Sequence, residues 1–304
     1  MARHWMIVAV AVMALLAGAH STMAGGVVIV SRTGVQAFKG AEAGFMQAAY
    51  SVQLPGFNPK VVELDGTAAD DAALAALKAE NPDVVFAVGS YAAKKVRQVL
   101  PTVWIVYGMV YYPEVEGLTG DPRMVGIDSL GPPKGLASLV KPMSRNKSLV
   151  VLHSQSIMAS VSSLVSALNS AGFDAQSKAV ASPGDLQGAF QAVKDQFKIL
   201  LLLPDPLTAN PDAMRYLISQ CVDAKILPVA LTESMVASGA LCAVTFQPES
   251  VGSHAAKVVQ QILAGKPPQD RLVEPTSFTT VINKGTASAL KINISKVNAE
   301  ITYE

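Results

Sequence analysis

The sequence predicts a doubly wound α/β fold in which two lobes each contain a parallel sheet. Short runs rich in Val, Ile and Leu alternate with helical patterns from residue 26 onwards. These runs are continuously apolar, which is typical of strands covered on both faces of a parallel sheet. They fall into two sets of about five, which is more than one compact sheet usually contains, and two similar lobes are therefore expected.

The first set of strands occupies the amino-terminal part of the chain, and helical patterns follow its first three members. After the first strand, Phe38, Ala41 and Phe45 keep the spacing of one helix face. The sequences DDAALAALKAE and SYAAKKVRQVL predict helices after the second and third strands. The predicted strands cover residues 26–30, 60–64, 83–88, 103–108 and 124–127.

The second set of strands has the same organisation, and helical patterns separate most of its members. It includes the runs SLVVLH and KILLLL, whose residues are apolar almost throughout. This repetition of strand and helix predicts a second parallel sheet. The predicted strands cover residues 148–153, 174–180, 198–203, 226–231 and 240–246.

The first 24 residues have the layout of a secretory signal peptide. Arg3 gives a positive start, residues 5–19 form an apolar core, and small residues follow. The core has about 15 residues against the ~20 that a membrane-spanning helix needs, although an uncleaved anchor remains the alternative. Cleavage is expected after Ala24 or Ala19, and no cysteine is present there to carry a lipid. We therefore expect a soluble periplasmic protein.

Composition argues against nucleic-acid binding and against most enzyme classes. The formal net charge of the 304 residues is +1, and no run of like charges is present. After the signal peptide only His153 and His254 remain, too few for a usual zinc site. No G-x-S-x-G, P-loop or dinucleotide-binding glycine pattern occurs. The sequence therefore predicts a binding protein without a cofactor or a metal, and without a nucleic-acid partner.

The two cysteines, Cys221 and Cys242, leave two interpretations open. In an oxidising compartment they could form a disulfide that closes a loop of ~20 residues. Alternatively, each is a separate buried thiol that acts as a small apolar side chain. Their spacing alone does not decide between these interpretations.

Ligands of open parallel sheets bind beyond the carboxyl ends of the strands, so the residues at those positions are candidates for a site. They include hydroxyl groups, small residues, a few charges and neighbouring tyrosines, and they include no metal-binding or catalytic cluster. Such groups suit hydrogen bonding and stacking against a small polar or aromatic molecule. The candidates that we select are Ser31, Arg32, Ser90, Tyr91, Tyr111, Tyr112, Ser154, Asp205, Thr232 and Ser234.

The segment at residues 200–243 resembles ABC-transporter substrate-binding proteins of the type I periplasmic binding fold, and within them the tryptophan- and tyrosine-type group. The matching positions include Pro204-Asp205, Pro228-Val229 and Glu233-Ser234. The resemblance extends through residues 251–294 and back to 88–96, so it covers essentially the mature chain. The sequence departs from the usual pattern at YYP after the fourth strand and at CAVTFQPE after SGAL. Because both departures fall at the expected cleft, they leave the identity of the ligand open.

The resemblance implies two lobes that are joined by three crossing strands and close on a ligand by hinge motion. The crossings are expected near residues 126–130, 246–249 and 273–278. Lobe 1 is expected to contain residues 25–128 and 249–275. Lobe 2 is expected to contain residues 129–248 and 276–304.

Each candidate also has a structural interpretation. Asp205 could pair with a ligand ammonium group, or it could cap the turn in PDP. The first residues of the helix that begins at Ser90 and Tyr91 could hold a carboxylate through backbone N–H groups, or Ser90 could only cap that helix. Tyr111 and Tyr112 could stack on a planar ligand, or pack between the lobes.

The remaining candidates are individually weaker. Arg32 could bind a carboxylate with two hydrogen bonds, or be an exposed loop side chain, and Ser31 precedes it. Ser154, Thr232 and Ser234 are expected to donate hydrogen bonds. Glu233 could contact the ligand or favour its helix N-terminus.

The resemblance implies a periplasmic solute-binding component of an ABC uptake transporter. A small molecule, with an amino acid as the first candidate, is expected to bind between the lobes and to be delivered to an ABC permease in the inner membrane. The protein is expected to be a monomer. The alternative function is a sensor of the same fold that passes a ligand signal to a membrane receptor.

Overall fold

The computed structural model describes residues 25–304, apart from the side chains of residues 58 and 59. The predicted signal peptide, residues 1–24, lies outside the described residues. Two mostly parallel sheets, each with helices packed on both faces, form the described part of the chain. The predicted doubly wound α/β fold is therefore confirmed. Within residues 25–304, no helix combines the length and the hydropathy needed to cross a bilayer.

The first sheet has six strands, all of them parallel to their neighbours. Its strands are β1 (Val27–Arg32), β2 (Phe57–Leu64), β3 (Val84–Val88), β4 (Trp104–Gly108), β5 (Met124–Ile127) and β11 (Leu272–Val273). Their spatial order is β11-β5-β4-β3-β1-β2. The edge strand β11 comes from much later in the chain, after five strands of the second sheet.

The second sheet has seven strands and contains one antiparallel pair. Its strands are β6 (Ser148–Ser154), β7 (Asp174–Val180), β8 (Ile199–Leu202), β9 (Leu227–Ala230), β10 (Cys242–Thr245), β12 (Thr279–Asn283) and β13 (Ile301–Tyr303). Their order is β13-β12-β10-β9-β8-β6-β7, and β12 runs antiparallel to β10. The strand β13, at the carboxyl terminus, pairs with β12 in parallel.

Ten α-helices cover the sheets in the part of the chain that the structure describes. They are α1 (Gln36–Ser51), α2 (Ala69–Glu80), α3 (Ser90–Val99), α4 (Pro133–Val140), α5 (Met158–Ser170), α6 (Leu186–Val193), α7 (Pro211–Ala224), α8 (Glu233–Ala237), α9 (Pro248–Leu263) and α10 (Lys284–Ala289). Short 3₁₀ turns precede α5 and α6. Pro133, Pro211 and Pro248 occupy first helical positions, where the missing N–H costs no hydrogen bond.

Side chains of each sheet alternate between two apolar layers, as pleated strands require. In β1, Val27 and Ile29 pack under α1 and α9, whereas Val28 and Val30 pack under α2 and α3. In the second sheet one layer includes α6, α7 and α8, and the other includes α4, α5 and α10. Both faces of each sheet are therefore buried, which explains why the strands are continuously apolar.

The helices α1 and α9 meet at glycines with almost no space between their backbones. A Cβ atom on Gly252 would lie 1.9 Å from the carbonyl oxygen of Ala41, and one on Gly44 would lie 2.1 Å from the carbonyl oxygen of Glu249. Only glycine allows this approach. The contact fixes the first turn of α9 beside α1, and residues of both helices line a cavity between the two sheets.

The chain passes between the two sheets three times: from β5 to α4, from β10 to α9, and from β11 to β12. Tyr107 packs beside the first passage, where a Cβ atom on Gly126 would lie 2.6 Å from its ring. The lobe boundaries implied by the resemblance fall at or beside these passages. That the two parts move as separate bodies stays a prediction.

The cysteines lie on opposite sides of the second sheet. Cys221, on α7, belongs to one apolar layer and Cys242, on β10, to the other, and both are free thiols. Burial raises the pKa of the Cys242 thiol to about 12 and also raises that of Cys221. The structure therefore corresponds to the interpretation as two separate buried thiols.

Candidate functional site

A cavity of about 480 Å³ lies between the two sheets and has walls from both of them. The first sheet contributes the start of α1 and the loop after β4. The second contributes the start of α8 and the carboxyl-terminal strand β13, and the first two passages form the back. The lining residues are Gln36, Ala37, Gly40, Met109, Tyr111, Ser129, Thr232, Glu233, Ser234, Thr245, Phe246, Gln247, Pro248, Glu249 and Tyr303.

The cavity forms where the carboxyl ends of β4 and β9 face each other, as expected for open parallel sheets. The chain turns sharply after β4, because Met109 has a φ angle of 60°. A non-glycine residue in this left-handed region costs about 1 kcal/mol, and such strain concentrates at functional sites. The turn directs the chain towards Tyr111, which lines the cavity and is 37% exposed.

Glu233 is the centre of a hydrogen-bonded network in the cavity wall. Its Oε1 accepts a hydrogen bond of 2.8 Å from the hydroxyl of Tyr303. Its Oε2 accepts one of 3.1 Å from Nε2 of Gln247. The hydrogen bond to Glu233 raises the pKa of Tyr303. Two neutral donors thus fix the orientation of a half-buried carboxylate and leave its charge uncompensated.

Three buried hydroxyl groups line the same cavity and make only long contacts with protein atoms. Ser129, Thr232 and Thr245 are each at most 7% exposed. The shortest contacts of their hydroxyl oxygens are 3.3 Å to the carbonyl oxygen of Ile127, 3.3 Å to Oγ of Ser234, and 3.4 Å to the carbonyl oxygen of Phe246. Hydroxyl hydrogen bonds usually measure about 2.7–2.8 Å. These groups are therefore free to make better hydrogen bonds to a molecule in the cavity.

A second cavity of about 760 Å³ adjoins the first through Tyr111 and Ser234, which line both. Its walls are mostly apolar. The other lining residues are Pro204, Asp205, Pro206, Thr208, Ala209, Pro211, Met214, Met235 and Ser238. The cleft therefore combines a polar compartment and an apolar one.

Asp205 lies in the wall of this second compartment, where its carboxylate holds two loops together. The side chain is 5% exposed. Its Oδ1 accepts a hydrogen bond of 2.6 Å from the N–H of Leu207, and its Oδ2 accepts one of 2.9 Å from the N–H of Ser154. The carboxylate therefore caps the turn after β8 and joins it to the end of β6. A contact with ligand stays a prediction.

Tyr112 belongs to the loop after β4 but packs against the apolar layer of the second sheet. Its hydroxyl oxygen is buried and has no hydrogen-bond partner among the described residues. Burial, followed by the nearby charge of Asp205, raises the pKa of the phenol. Tyr112, in a loop of the first sheet, therefore packs against the second sheet in this structure, and stacking on a ligand stays a prediction.

Arg32, Ser90 and Tyr91 form a separate cluster on the first sheet and do not line either cavity. The guanidinium of Arg32 lies 4.9 Å from the ring centre of Tyr91. The hydroxyl of Tyr91 donates a hydrogen bond of 2.7 Å to Oδ2 of Asp70. Ser90 is the first residue of α3. Arg32 points to the face of the first sheet that carries α2 and α3. Its contact with Tyr91, together with the hydrogen bond from Tyr91 to Asp70, connects the segments that follow β1, β2 and β3.

Ser31 and Ser154 are also outside the lining of the two cavities. Ser31 is 1% exposed and its hydroxyl has no hydrogen-bond partner among the described residues. The hydroxyl of Ser154 lies 2.7 Å from that of Ser156, and its backbone N–H is bound to Asp205. The structure therefore brings only Tyr111, Thr232, Ser234 and Asp205 of the ten predicted residues to the cleft walls.

Several cavity residues were not predicted from the sequence. Gln36 begins α1, Ser129 lies in the first passage, and Gln247 and Glu249 flank the start of α9. Tyr303 comes from the last strand. The QPE sequence after the run at residues 240–246 was a usable signal, because it follows a strand and precedes a helix in the same way as TES.

Comparison with known proteins supports the same assignment of fold and family. The sequence profile described as ABC transporter substrate binding protein matches residues 58–300. A search among curated proteins found no match. Matches among solved structures show the fold, since their sequence identities are low.

Three similar solved structures cover nearly the whole described chain. A ligand-free, open substrate binding protein with adhesive properties from Clostridium difficile has 18% identity and a TM-score of 0.72, over 92% of this chain and 98% of its own. A domain in complex with L-Trp from Streptococcus pneumonia has 18% identity and a TM-score of 0.62, over 91% and 99%. A conserved domain protein from Vibrio cholerae has 22% identity and a TM-score of 0.62, over 91% and 99%. Because the profile matches well over half of the chain, this protein belongs to the family of ABC transporter substrate-binding proteins.

Proposed function

We propose that this protein is the periplasmic solute-binding component of an ABC uptake transporter and that it traps an amino acid between its two lobes. The observation that carries the proposal is a cavity whose walls come from both sheets and from the passages that join them. A solute that contacts both walls binds more tightly to a closed arrangement than to an open one. This difference in affinity shifts the protein towards the closed arrangement. Binding coupled to closure is then the work of the protein.

The polar compartment supplies partners for both charged groups of an amino acid. The carboxylate of Glu233 can accept hydrogen bonds from an ammonium group. The helix α1 has no side-chain cap at its N-terminus, and its first residues, Gln36 and Ala37, line the cavity. Free N–H groups at a helix N-terminus favour a carboxylate. The two partners lie on opposite lobes, so one ligand would bridge the cleft.

The adjoining apolar compartment suits the apolar part of a ligand side chain. Met214 and Met235 line it together with three prolines. Methionine side chains adapt to ligands of different shape. This arrangement supports an amino acid with a substantial side chain, which the protein would release to a permease in the inner membrane.

A thermal-shift screen combined with small-angle scattering tests the proposal. The screen contains amino acids, purines and small carboxylates, and a solute present at 100 times its Kd should add about 2.7 kcal/mol to the free energy of unfolding. A stabilising solute should also reduce the radius of gyration, because the lobes close. A radius that stays constant with every stabilising solute would contradict trapping between the lobes.

A matched pair of substitutions tests the location of the site. Ser234 lines both cavities, and Ser234→Trp should fill the cleft and abolish the thermal shift. Ser166→Trp places the same side chain on an exposed position of α5 and should leave the shift unchanged. Equal shifts in the two variants would show that the solute binds elsewhere.

A further inference from the structure

We infer that the ligand carries a net positive charge at neutral pH, as an amino acid with a cationic side chain does. The inference rests on the proposed function and specifies the class of solute. It is drawn from the charges of the cavity wall and from hydrogen-bonding groups that have no good partner there. Both observations concern the polar compartment of about 480 Å³.

The charges of the compartment are of one sign. Two carboxylates, those of Glu233 and Glu249, belong to its lining, and no lysine, arginine or histidine does, among the residues that the structure describes. The adjoining compartment adds the carboxylate of Asp205 and again no basic side chain from the described residues. A ligand with no net charge would leave this excess uncompensated once the cleft closes and water leaves.

Glu233 is arranged as an acceptor for a cation. The hydroxyl of Tyr303 and the amide of Gln247 each bind one of its oxygens, so the carboxylate is held in one orientation. Both donors are neutral. Within residues 25–304, no lysine or arginine forms an ion pair with Glu233, Glu249 or Asp205. Lysines do pair with acidic residues elsewhere on the surface, for example Lys39 with Glu63.

The three buried hydroxyls of Ser129, Thr232 and Thr245 are a second observation, because they can offer hydrogen bonds to a polar molecule in this compartment. Each is more than nine-tenths buried, and its hydrogen bond to the protein is long, at 3.3–3.4 Å. Buried polar groups are nearly always satisfied. A guanidinium or ammonium group has several N–H donors and no acceptor, so hydroxyl oxygens and carboxylates are complementary to it.

Aromatic side chains complete the match with a cation. Tyr111 and Phe246 line the same compartment as Glu233. A cation binds to the face of an aromatic ring, and the attraction increases when water is excluded. Phe246 lies in the second passage and Tyr111 in the loop after β4, so the two rings come from different parts of the cavity wall.

Isosteric pairs of solutes test the inference. Arginine and citrulline have nearly the same shape, but only arginine has a charged side chain, and lysine and 2-aminoheptanoic acid form a second pair. We expect arginine or lysine to bind at least tenfold more tightly than its neutral counterpart in titration calorimetry. The difference should decrease as salt is added, since ions screen the attraction.

Substitutions assign the effect to the cleft. Glu233→Gln should weaken the binding of both amino acids of a pair, because both have the ammonium group that Glu233 is proposed to bind. It should weaken the binding of the cationic amino acid more, so that the ratio of the two affinities decreases. Glu249→Gln gives a second measurement in case the first variant does not fold. Glu80→Gln, at an exposed residue paired with Lys60 far from the cavity, should leave both affinities unchanged.

The possible outcomes separate the inference from the proposed function. Equal affinities for the charged and neutral members of each pair would overturn the inference. Binding of neutral aromatic amino acids without binding of the cationic ones would overturn it too, and would leave the proposed function in place. If none of the amino acids, purines and small carboxylates of the thermal-shift screen bound, the inference and the proposed function would both be contradicted.

Discussion

The hydroxyl of Tyr303 donates a hydrogen bond of 2.8 Å to Oε1 of Glu233, across a separation of 70 positions in the chain. Tyr303 lies on β13, which pairs with β12 at the edge of the second sheet. The last strand of the chain therefore orients a carboxylate in the cavity wall. This relationship connects the completion of the second sheet with the formation of the candidate site.

Tyr303→Phe removes the hydroxyl and keeps the ring. We expect a loss of about 1 kcal/mol in the free energy of unfolding, because a half-exposed hydrogen bond to a charged group contributes modestly. We also expect weaker binding of any solute that contacts Glu233, since its carboxylate then has only Gln247 to orient it. Urea unfolding and calorimetry measure the two effects.

A second tyrosine provides the control for this substitution. Tyr50 is 60% exposed, and Tyr50→Phe removes a hydroxyl that lies on the surface. It should change neither stability nor binding. If Tyr303→Phe behaved in the same way as this control, the hydrogen bond to Glu233 would have no role in the site.

The sheets could be predicted from the sequence because their strands are buried on both faces. All ten predicted strands are present, and their bounds differ by a few residues at most. The last two strands of the second sheet were missed for a physical reason. The strand β12 covers TTVIN, of which Thr279 and Thr280 are only half-buried, and β13 has just three residues at the sheet edge. Neither forms an apolar run, and their pairing depends on the finished sheet.

Residues that line the cavity were predicted only where they come directly after the carboxyl end of a strand. Thr232 and Ser234 after β9, and Tyr111 after β4, line the cavity as their positions suggested. Gln247 and Glu249 reach it because close contacts at Gly44 and Gly252 fix the start of α9 against α1, which is far from them in sequence. Arg32 was expected at the cleft, but in this structure its side chain lies against Tyr91, on the face of the first sheet that carries α2 and α3. Such orientations depend on packing between distant segments.

Asp205→Ala should destabilise the protein whatever the ligand is. It removes the acceptor of the N–H groups of Leu207 and Ser154. A buried donor left without a partner costs about 1–3 kcal/mol, so we expect a loss of about 2–4 kcal/mol in urea unfolding. Asp205→Asn keeps one carbonyl oxygen and should lose less.

The exposed residue Asp195 is the matched control, and Asp195→Ala should change stability by at most about 0.5 kcal/mol. Calorimetric titration of Asp205→Asn with a solute that binds the parent protein measures separately whether the carboxylate contributes to binding. If Asp205→Ala were as stable as Asp195→Ala, the carboxylate would not hold the two loops together, and contact with a ligand would become its main role.

Two glycine substitutions should have opposite effects on stability. Gly252→Ala places a Cβ atom 1.9 Å from the carbonyl oxygen of Ala41, and should cost about 3 kcal/mol or more because α1 and α9 must separate. Gly188→Ala, in α6, has no atom within 4 Å of the new Cβ. It should stabilise the protein by about 0.5–1 kcal/mol through its helix propensity. Thermal unfolding of both variants checks the prediction, and a tolerated Gly252→Ala would contradict the close helix contact.

Asp128, in the first passage, should make stability depend on pH. Burial raises the pKa of its carboxyl, the N–H of Leu130 at 2.9 Å lowers it, and the charges of Glu274 and Glu114 raise it, with a net increase above 3.8. The folded protein therefore binds this proton more readily than the unfolded chain. Its contribution to stability decreases as the pH rises from 3.8 through the raised pKa.

Asp128→Asn keeps an oxygen for the N–H of Leu130 and removes the charge. The variant should have a higher melting temperature than the parent at pH 7, and the gain should disappear below about pH 3.8, the ordinary pKa of the carboxyl.

The carboxyl of Asp70 should have the opposite effect on the pH dependence of stability. Burial works to raise its pKa, but the hydroxyl of Tyr91 and two backbone N–H groups outweigh burial and lower the pKa.

Asp70→Asn should therefore lower the melting temperature at pH 7, and this loss should shrink as the pH falls through the lowered pKa. Melting curves of the parent and both variants between acid and neutral pH give the comparison. If the melting temperatures of the two variants changed with pH in the same way, neither carboxyl would have the environment described above. Changes of opposite sign in the melting temperature at pH 7 would assign the pH dependence to these two positions.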